Sequence, residues 1–359
     1  MSVRARRVAR VLAAAARIAD AADPLGVEAR ARLRSTSGLS RQGVELALSG
    51  HLERGATEGE LAAFAASAAS APRCHVVLAA NVCTAGVRAI AWAAATSPEV
   101  LVRPSRRDPV VAELLCRALS TDDAFEGRVD LVAEVAPRDR DELHVYGGED
   151  AIAAYGAWAA AGVVVRAHGP GFGVAYVGPR GDVRAAAEEL ARDVVPFDQR
   201  GCLSPRVAFV DGDAARVEAF AGALAGALEA WQERVPRGPI DADVASALAT
   251  YRATFDAVGL ALAGDAHVVG VDPAPRALTL APPARAVHVV AASAEAAAAL
   301  LGPIAASITI LGVWPDDHDA AALARGFRCR VAALGTMQRP PLDGPVDLRA
   351  LPKGPASPR

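Results

Sequence analysis

The residue best suited to covalent chemistry in this chain is a cysteine in a polar loop. Cys202 stands in Phe197-Asp198-Gln199-Arg200-Gly201-Cys202-Leu203-Ser204-Pro205, preceded by a glycine and a cation. A nearby positive charge lowers a thiol pKa and favours the nucleophilic thiolate. The rival account is that Cys202, like many cysteines, is only a small buried hydrophobe. Cys74, Cys83, Cys116 and Cys329 fit that account better, because they lie in or beside apolar strands or helices. Five cysteines, spaced neither as a disulfide framework nor as a CxxC metal site, suit a reducing cytoplasm and imply no metal.

Four further segments carry groups that could serve a reaction. Asn81, in Ala79-Ala80-Asn81-Val82-Cys83-Thr84, follows an apolar run that reads as a parallel strand. Its amide could donate to a developing oxyanion, or it could be the N-cap of the helix that follows. Arg103 and Ser105, in Leu101-Val102-Arg103-Pro104-Ser105-Arg106-Arg107, suit ribose and phosphate oxygens. The rival there is a solvated basic turn. Gly147 and Gly148, in Val145-Tyr146-Gly147-Gly148-Glu149-Asp150, join a strand to a helix and would let a backbone approach a dinucleotide. Glu149 and Asp150 compete with an anion there, and the GxGxxG fingerprint is absent. His168 opens His168-Gly169-Pro170-Gly171-Phe172-Gly173 and could move a proton; a surface histidine on a glycine-rich hairpin is the alternative.

Short apolar runs alternating with helices of about 11 residues must position these groups, and they imply βαβ units with mainly parallel sheets. Residues 1–70 read as helices interrupted near Ser35–Ser40. Strands are expected at His75–Ala80, Val100–Val102, Val129–Val135, Glu142–Tyr146, Gly162–Ala167 and Val174–Val177. Helices fall at Ala85–Ala95, Pro109–Leu119, Glu149–Ala160 and Val183–Arg192. Pro196, Asp198 and Gly201 then break the pattern. Beyond the break come strands at Val207–Val210, His267–Val271, Val287–Ala291, Ile308–Val313 and Arg330–Leu334, with helices at Ala214–Arg234, Asp241–Val258 and Ala294–Leu301. The expected fold is therefore two α/β domains with largely parallel sheets and an active-site crevice between them. The domains would be residues 1–195 and 196–335, with a tail at 336–359 that could wrap the surface or a second subunit of a homo-oligomer.

Composition narrows the function further. The net charge is -3 with no large block of either sign, which argues against a general nucleic-acid binder. Basic charge is almost wholly arginine, with one lysine, Lys353, so neither a Walker-type phosphate loop nor a pyridoxal Schiff base is provided for. Arg17 interrupts the short apolar stretch Val11–Ala16, which favours an amphipathic helix over a signal peptide. No segment is long and apolar enough to span a bilayer, and a cytoplasmic protein is expected.

Taken in order, the segments resemble the aldehyde dehydrogenase superfamily, and within it the acyl-CoA reductases that supply aldehyde for bacterial luminescence (LuxC-like). The resemblance is carried by NVCTAGVRAIAWAAATSPEVLVRPSRRDPVVAELL from Asn81, VYGGEDAI at 145–152, HGPGFGVAYVG at 168–178, DQRGCLSPRVAFV at 198–210 and ALGTMQRPPLDGPVDLR at 333–349. It implies that Cys202 is the nucleophile and Asn81 the oxyanion-binding amide. Arg103 and Ser105 would lie at the cofactor ribose and phosphate, and Gly147 and Gly148 at the turn over the dinucleotide. His168 falls near the place where hydrolytic relatives carry a glutamate base. Residues 1–195 would then hold the nicotinamide dinucleotide, and 196–335 the catalytic cysteine. The implied reaction is NADPH-dependent reduction of an acyl-CoA or acyl-carrier thioester to an aldehyde. Alternatives are an aldehyde or semialdehyde dehydrogenase acting on a smaller substrate, and a non-catalytic binding subunit that retains the fold. The chain departs from the pattern in a short N-terminal region, in Arg103 where lysine is common, and in the ending Pro-Val-Asp-Leu-Arg.

Overall fold

The computed structural model describes residues 1–349 apart from Pro273, Pro275, Arg276 and Asp317. The chain forms two compact units. The first holds Met1–Ser37, Ala47–Pro170 and the described tail from Pro341; the second holds Gly38–Leu46 and Gly171–Pro340.

The first unit opens with α1 (Val3–Ala19) and α2 (Pro24–Thr36). A short helix α3 (Arg41–Glu45) belongs with the second unit, and a π-helical turn, Leu46–His51, leads from it to α4 (Glu58–Ser67). α4 starts at a reciprocal cap between Thr57 and Glu60. Strands and helices then alternate: β1 (Cys74–Val77), α5 (Gly86–Thr96), β2 (Glu99–Arg103), α6 (Val110–Ser120), β3 (Arg128–Leu131), β4 (Glu142–Tyr146), α7 (Glu149–Gly156) and β5 (Val164–His168). All five strands are parallel, in the order β3-β2-β1-β4-β5. Every residue of α5 is buried, as its nearly continuous apolar sequence requires. The N-terminal stretch is the expected amphipathic helix, with Val8, Val11, Leu12, Ala15 and Ile18 buried along one face of α1.

The second unit continues with β6 (Phe172–Val177), α8 (Val183–Val194), β7 (Pro205–Val210), α9 (Ala214–Arg234), α10 (Ala242–Val258), β8 (Leu260–Ala263), β9 (Val268–Asp272), β10 (Ala286–Ala291), α11 (Ala294–Leu301), β11 (Ile308–Trp314), α12 (His318–Ala324) and β12 (Arg330–Ala333). The sheet order is β12-β11-β6-β7-β10-β9-β8, parallel except for β8 against β9. Alternate residues of β6 feed two cores. Ala175 and Val177 pack with Leu190, Phe220 and Leu224 of α8 and α9, while Val174 and Tyr176 pack with Leu301 and Leu323 of α11 and α12. Strands covered on both faces read as unbroken apolar runs, which is why β6 was legible in the sequence.

The units divide at Gly171, whereas the sequence pattern suggested 195/196. The reason is that β6 is hydrogen-bonded between β11 and β7, so β6 and α8 belong to the larger sheet. Of the expected tail, residues 336–340 stay with the second unit and those from Pro341 with the first. Lys353 and the rest of the chain from 350 lie outside the described residues. No described helix is long and apolar enough to cross a membrane.

Candidate active site

In the first unit the sheet order reverses at β1, so the carboxyl ends of β1 and β4 flank a switch point, the usual position for ligands in open parallel sheets. Four of the expected site segments meet that edge. Asn81 is exposed in the loop after β1. It is not the cap of α5: the N-cap is Ala85, with no side-chain hydrogen bond. Arg103 ends β2, and its Nε donates to the Ala133 carbonyl at 3.2 Å. The Ser105 hydroxyl accepts from the Arg107 N–H at 3.2 Å, and Arg106 and Arg107 are exposed. Gly147 and Gly148 follow β4, and Gly148 caps α7 with no side chain over the helix start. A Cβ on Gly147 would meet that of Ala151 at 2.9 Å, whereas one on Gly148 would meet nothing within 4 Å. Gly148 therefore borders open space beside uncapped backbone N–H groups, a cradle suited to phosphate.

His168, at the end of β5, is not a surface residue; it is 7 % exposed. Its ring stacks on Tyr146 at 4.1 Å, and Nε2 lies 2.9 Å from Nδ1 of His144. Nε2 of His144 lies 2.9 Å from Glu142, which also faces Arg166. On the other side Nδ1 of His168 is 3.7 Å from Asp347, whose carboxylate takes Nε and Nη2 of Arg349 at 2.8 and 2.9 Å. Arg349 in turn donates to the carbonyls of Gly169 and Pro170. This chain of polar groups fastens the described tail to the loop after β5, where no hairpin forms because β5 and β6 belong to different sheets. Burial lowers the His144 pKa to about 4, with Glu142 working against it. Asp347 is held well below the usual carboxylate range by His168 and Arg349, although its burial acts in the opposite direction.

In the second unit Cys202 sits half-buried in a turn at the amino end of β7, closed by Ser204 N–H to Gly201 O at 3.1 Å. Burial pushes the thiol of Cys74 far up, that of Cys116 to about 12 and that of Cys329 to about 11, so these three stay protonated. The turn is packed from below. A Cβ on Gly173 would come within 2.6 Å of Leu203 O and 2.8 Å of Met337 Cε. Fully buried Met337 is fixed by Asp193, which accepts the N–H groups of Gly335 at 2.6 Å and Met337 at 2.9 Å. Gln338 Nε2 donates to Asp193 O and reaches Ser204 Oγ at 3.5 Å. Three sequence blocks, at 171–173, 198–205 and 333–338, thus converge on this turn. Arg200, read from sequence as the cation beside the thiol, donates Nε to Phe197 O and pairs with Asp198 at 3.8 Å.

The residues that build these surroundings, Glu142, His144 and Asp193, were given no role by the sequence reading. Of these His144 is a polar side chain inside an apolar run, between Leu143 and Val145, and buried polar groups need partners. That was the available signal.

Comparison with known proteins decides the family. The acyl-CoA reductase (LuxC) family matches residues 61–339, most of the chain. The chain belongs to the acyl-CoA reductase (LuxC) family. A member in Photobacterium leiognathi, long-chain acyl-protein thioester reductase 2, is 26% identical over 175 residues, which cover 45% of this chain and 36% of that protein. The chain thus spans about a third of the length of that relative. The fold is that of the aldehyde dehydrogenases. A NAD-dependent benzaldehyde dehydrogenase from Corynebacterium glutamicum superposes with a TM-score of 0.65 at 16% identity, covering 93% of this chain and 82% of that one. A Mycobacterium tuberculosis aldehyde dehydrogenase complexed with NAD+ gives 0.65 at 15%, covering 93% and 78%. Among the described residues no group of three or more His, Cys, Asp or Glu side chains is placed to hold a metal.

Proposed function

We propose that this LuxC-family chain reduces a fatty acyl thioester to an aldehyde through an acyl group carried on Cys202. The observation that supports the reading is the built turn around Cys202, half-buried and closed by Ser204 N–H to Gly201 O; burial raises the thiol pKa of Cys74, Cys116 and Cys329, and Cys83, equally half-buried, lies in the loop after β1. The Cys202 thiolate attacks the thioester carbonyl, and the carrier thiol leaves with a proton. The acyl group is then a thioester on Cys202. Exchange between two sulfurs costs little, and a thioester accepts hydride where a carboxylate does not. The Cys202 backbone N–H and, by the family resemblance, the Asn81 amide take the oxyanion. A nicotinamide dinucleotide, when bound, supplies the hydride.

The residues present suit such a cofactor. Gly147, Gly148 and the open start of α7 would hold its pyrophosphate, while Arg103 and Ser105 would hold the adenosine ribose. Arg106 and Arg107 favour NADPH, because a guanidinium pairs with a 2′-phosphate. This preference is checked by the kcat/KM values of the wild type for the two cofactors; equal values contradict it. His168, buried and stacked, would fasten the tail rather than exchange protons with solvent. By the family resemblance His168 stands near the place where hydrolytic relatives carry a glutamate base, and that replacement would suit an enzyme that must not hydrolyse its thioester.

The activity is tested by following the nicotinamide absorbance with a panel of acyl-CoAs and of free aldehydes. Thioester-dependent oxidation of NADPH is the expected result. Turnover with aldehydes alone would favour a small-substrate dehydrogenase, and silence from folded protein a binding subunit.

A further inference from the structure

Phe197, Asp198 and Gln199 have φ values of 57°, 49° and 61°, so three consecutive non-glycine residues lie in the left-handed region just before the cysteine turn. Each such residue costs on the order of 1–3 kcal/mol and persists only where its surroundings over-determine it. Here they do. Gln199 is fully buried. Its Nε2 donates to Pro205 O at 2.7 Å and to Ala286 O at 2.5 Å, and its Oε1 accepts the Ala286 N–H at 2.8 Å. Both donors and the acceptor are in use, and the opposite amide orientation would set oxygen against two carbonyls. The bond from Gln199 to Pro205 closes a ring of chain around Cys202 and anchors it to the start of β10.

Asp198 holds the other side. Its carboxylate accepts from Arg285 at 2.9 Å and from the Gly238 N–H at 3.0 Å, and its carbonyl accepts the Ala284 N–H at 3.1 Å. Arg285 is 1 % exposed and donates to Val235 O and Gln232 Oε1 as well. Ala284 and Arg285 are themselves left-handed, at φ 75° and 68°. Two strained turns therefore face and lock each other, and Cys202 rides on one of them. A turn needed only to connect α8 to β7 would not require this.

We infer that Gln199 and the Asp198–Arg285 pair are positioning residues for Cys202: they hold the thiol and the Cys202 N–H in the orientation that attack requires. This rests on the reading of Cys202 as the nucleophile. The test uses the full chain with Gln199→Met, which keeps the length but loses all three hydrogen bonds, and the milder Asp198→Asn, since asparagine tolerates the left-handed region. Steady-state kinetics, acylation by acyl-CoA, NADPH affinity, melting temperature and the pH profile of iodoacetamide alkylation at Cys202 are measured together.

Gln199→Met should lower kcat and acylation by about 10- to 100-fold, with KM and NADPH affinity within about twofold. The alkylation profile should change at Cys202 and not at Cys83. Asp198→Asn should move the same quantities less. A folded Gln199→Met with wild-type kcat and alkylation profile overturns the positioning role. If that variant does not fold, Asp198→Asn decides: reduced kcat at unchanged KM supports the role, and wild-type kcat overturns it. Wild type acylated on Cys202 beside indifferent variants removes the positioning role alone. A wild type that takes no acyl group on Cys202 removes the reading of the site and this inference with it.

Discussion

The two units place their candidate site residues at opposite ends of their strands. In the five-stranded unit, Asn81, Arg103, Gly147 and His168 gather at the carboxyl ends of parallel strands, the usual position for ligands in open parallel sheets. In the seven-stranded unit, Cys202 precedes β7 and so lies at the amino end. No general rule of parallel sheets puts a ligand there. What replaces the rule is construction: left-handed backbone, the Asp198–Arg285 pair and Gln199. On the proposed reading one unit would offer a surface that a ligand completes, and the other a turn completed in advance. Ligand contacts should thus dominate mutational effects in the first, and packing in the second.

The largest test of that contrast is at the exposed Asn81. Asn81→Ala should lower kcat by about 100-fold, or about 3 kcal/mol, while the melting temperature barely moves, because Asn81 caps no helix. A lost cap would instead cost about 1 kcal/mol of stability with near-normal turnover.

Acid should separate the units. Burial lowers His144 in the first unit and His288 in the second to about 4. The unfolded chain takes up those protons near pH 6.5, so stability falls as the pH drops from about 6.5 to about 4, on the order of 2–3 kcal/mol for each. In the second unit burial pushes Asp193 up to about 7, against the Gly335 and Met337 amides. Its stability contribution has the opposite sign, growing as the pH falls from about 7 to about 4. Hydrogen exchange should therefore show β4 losing protection at a higher pH than β7. The reverse order would mean that the Asp193 clamp does not act as described.

Glycines give a smaller, paired test. Gly173→Ala drives a methyl into Leu203 O and should cost about 1–3 kcal/mol. Gly148→Ala enters open space and should leave the stability within about 0.5 kcal/mol of wild type, measured by thermal melts of both. Equal losses would erase the contrast between a prebuilt turn and an open cradle.

Much of this architecture was legible in the sequence because parallel strands and their helices carry strong apolar periodicity. The expected bounds of β4, α9 and α11 are those observed. The antiparallel edge strand β8 and the short α12 were not seen. β8 is only four residues and follows the apolar end of α10 after a single glycine, so its short run Leu-Ala-Leu-Ala does not stand apart from the helix. The segment containing Cys202 was recognised, but not what holds it. Asp198 and Arg285 are 87 residues apart, and three left-handed non-glycine residues leave no compositional mark. The burial of His168 was not legible, because its partner Asp347 lies in a tail that local patterns cannot place.

The central claim is that Cys202 alone carries the acyl group. Incubation of the full chain with acyl-CoA in the absence of NADPH, followed by peptide mass mapping, tests it most directly. One acyl mass should appear on the peptide containing Cys202, and none on that peptide in Cys202→Ser, whose reductase activity should also be lost while NADPH still binds. Acylation at Cys74, Cys83, Cys116 or Cys329, with Cys202→Ser fully active, would contradict the account.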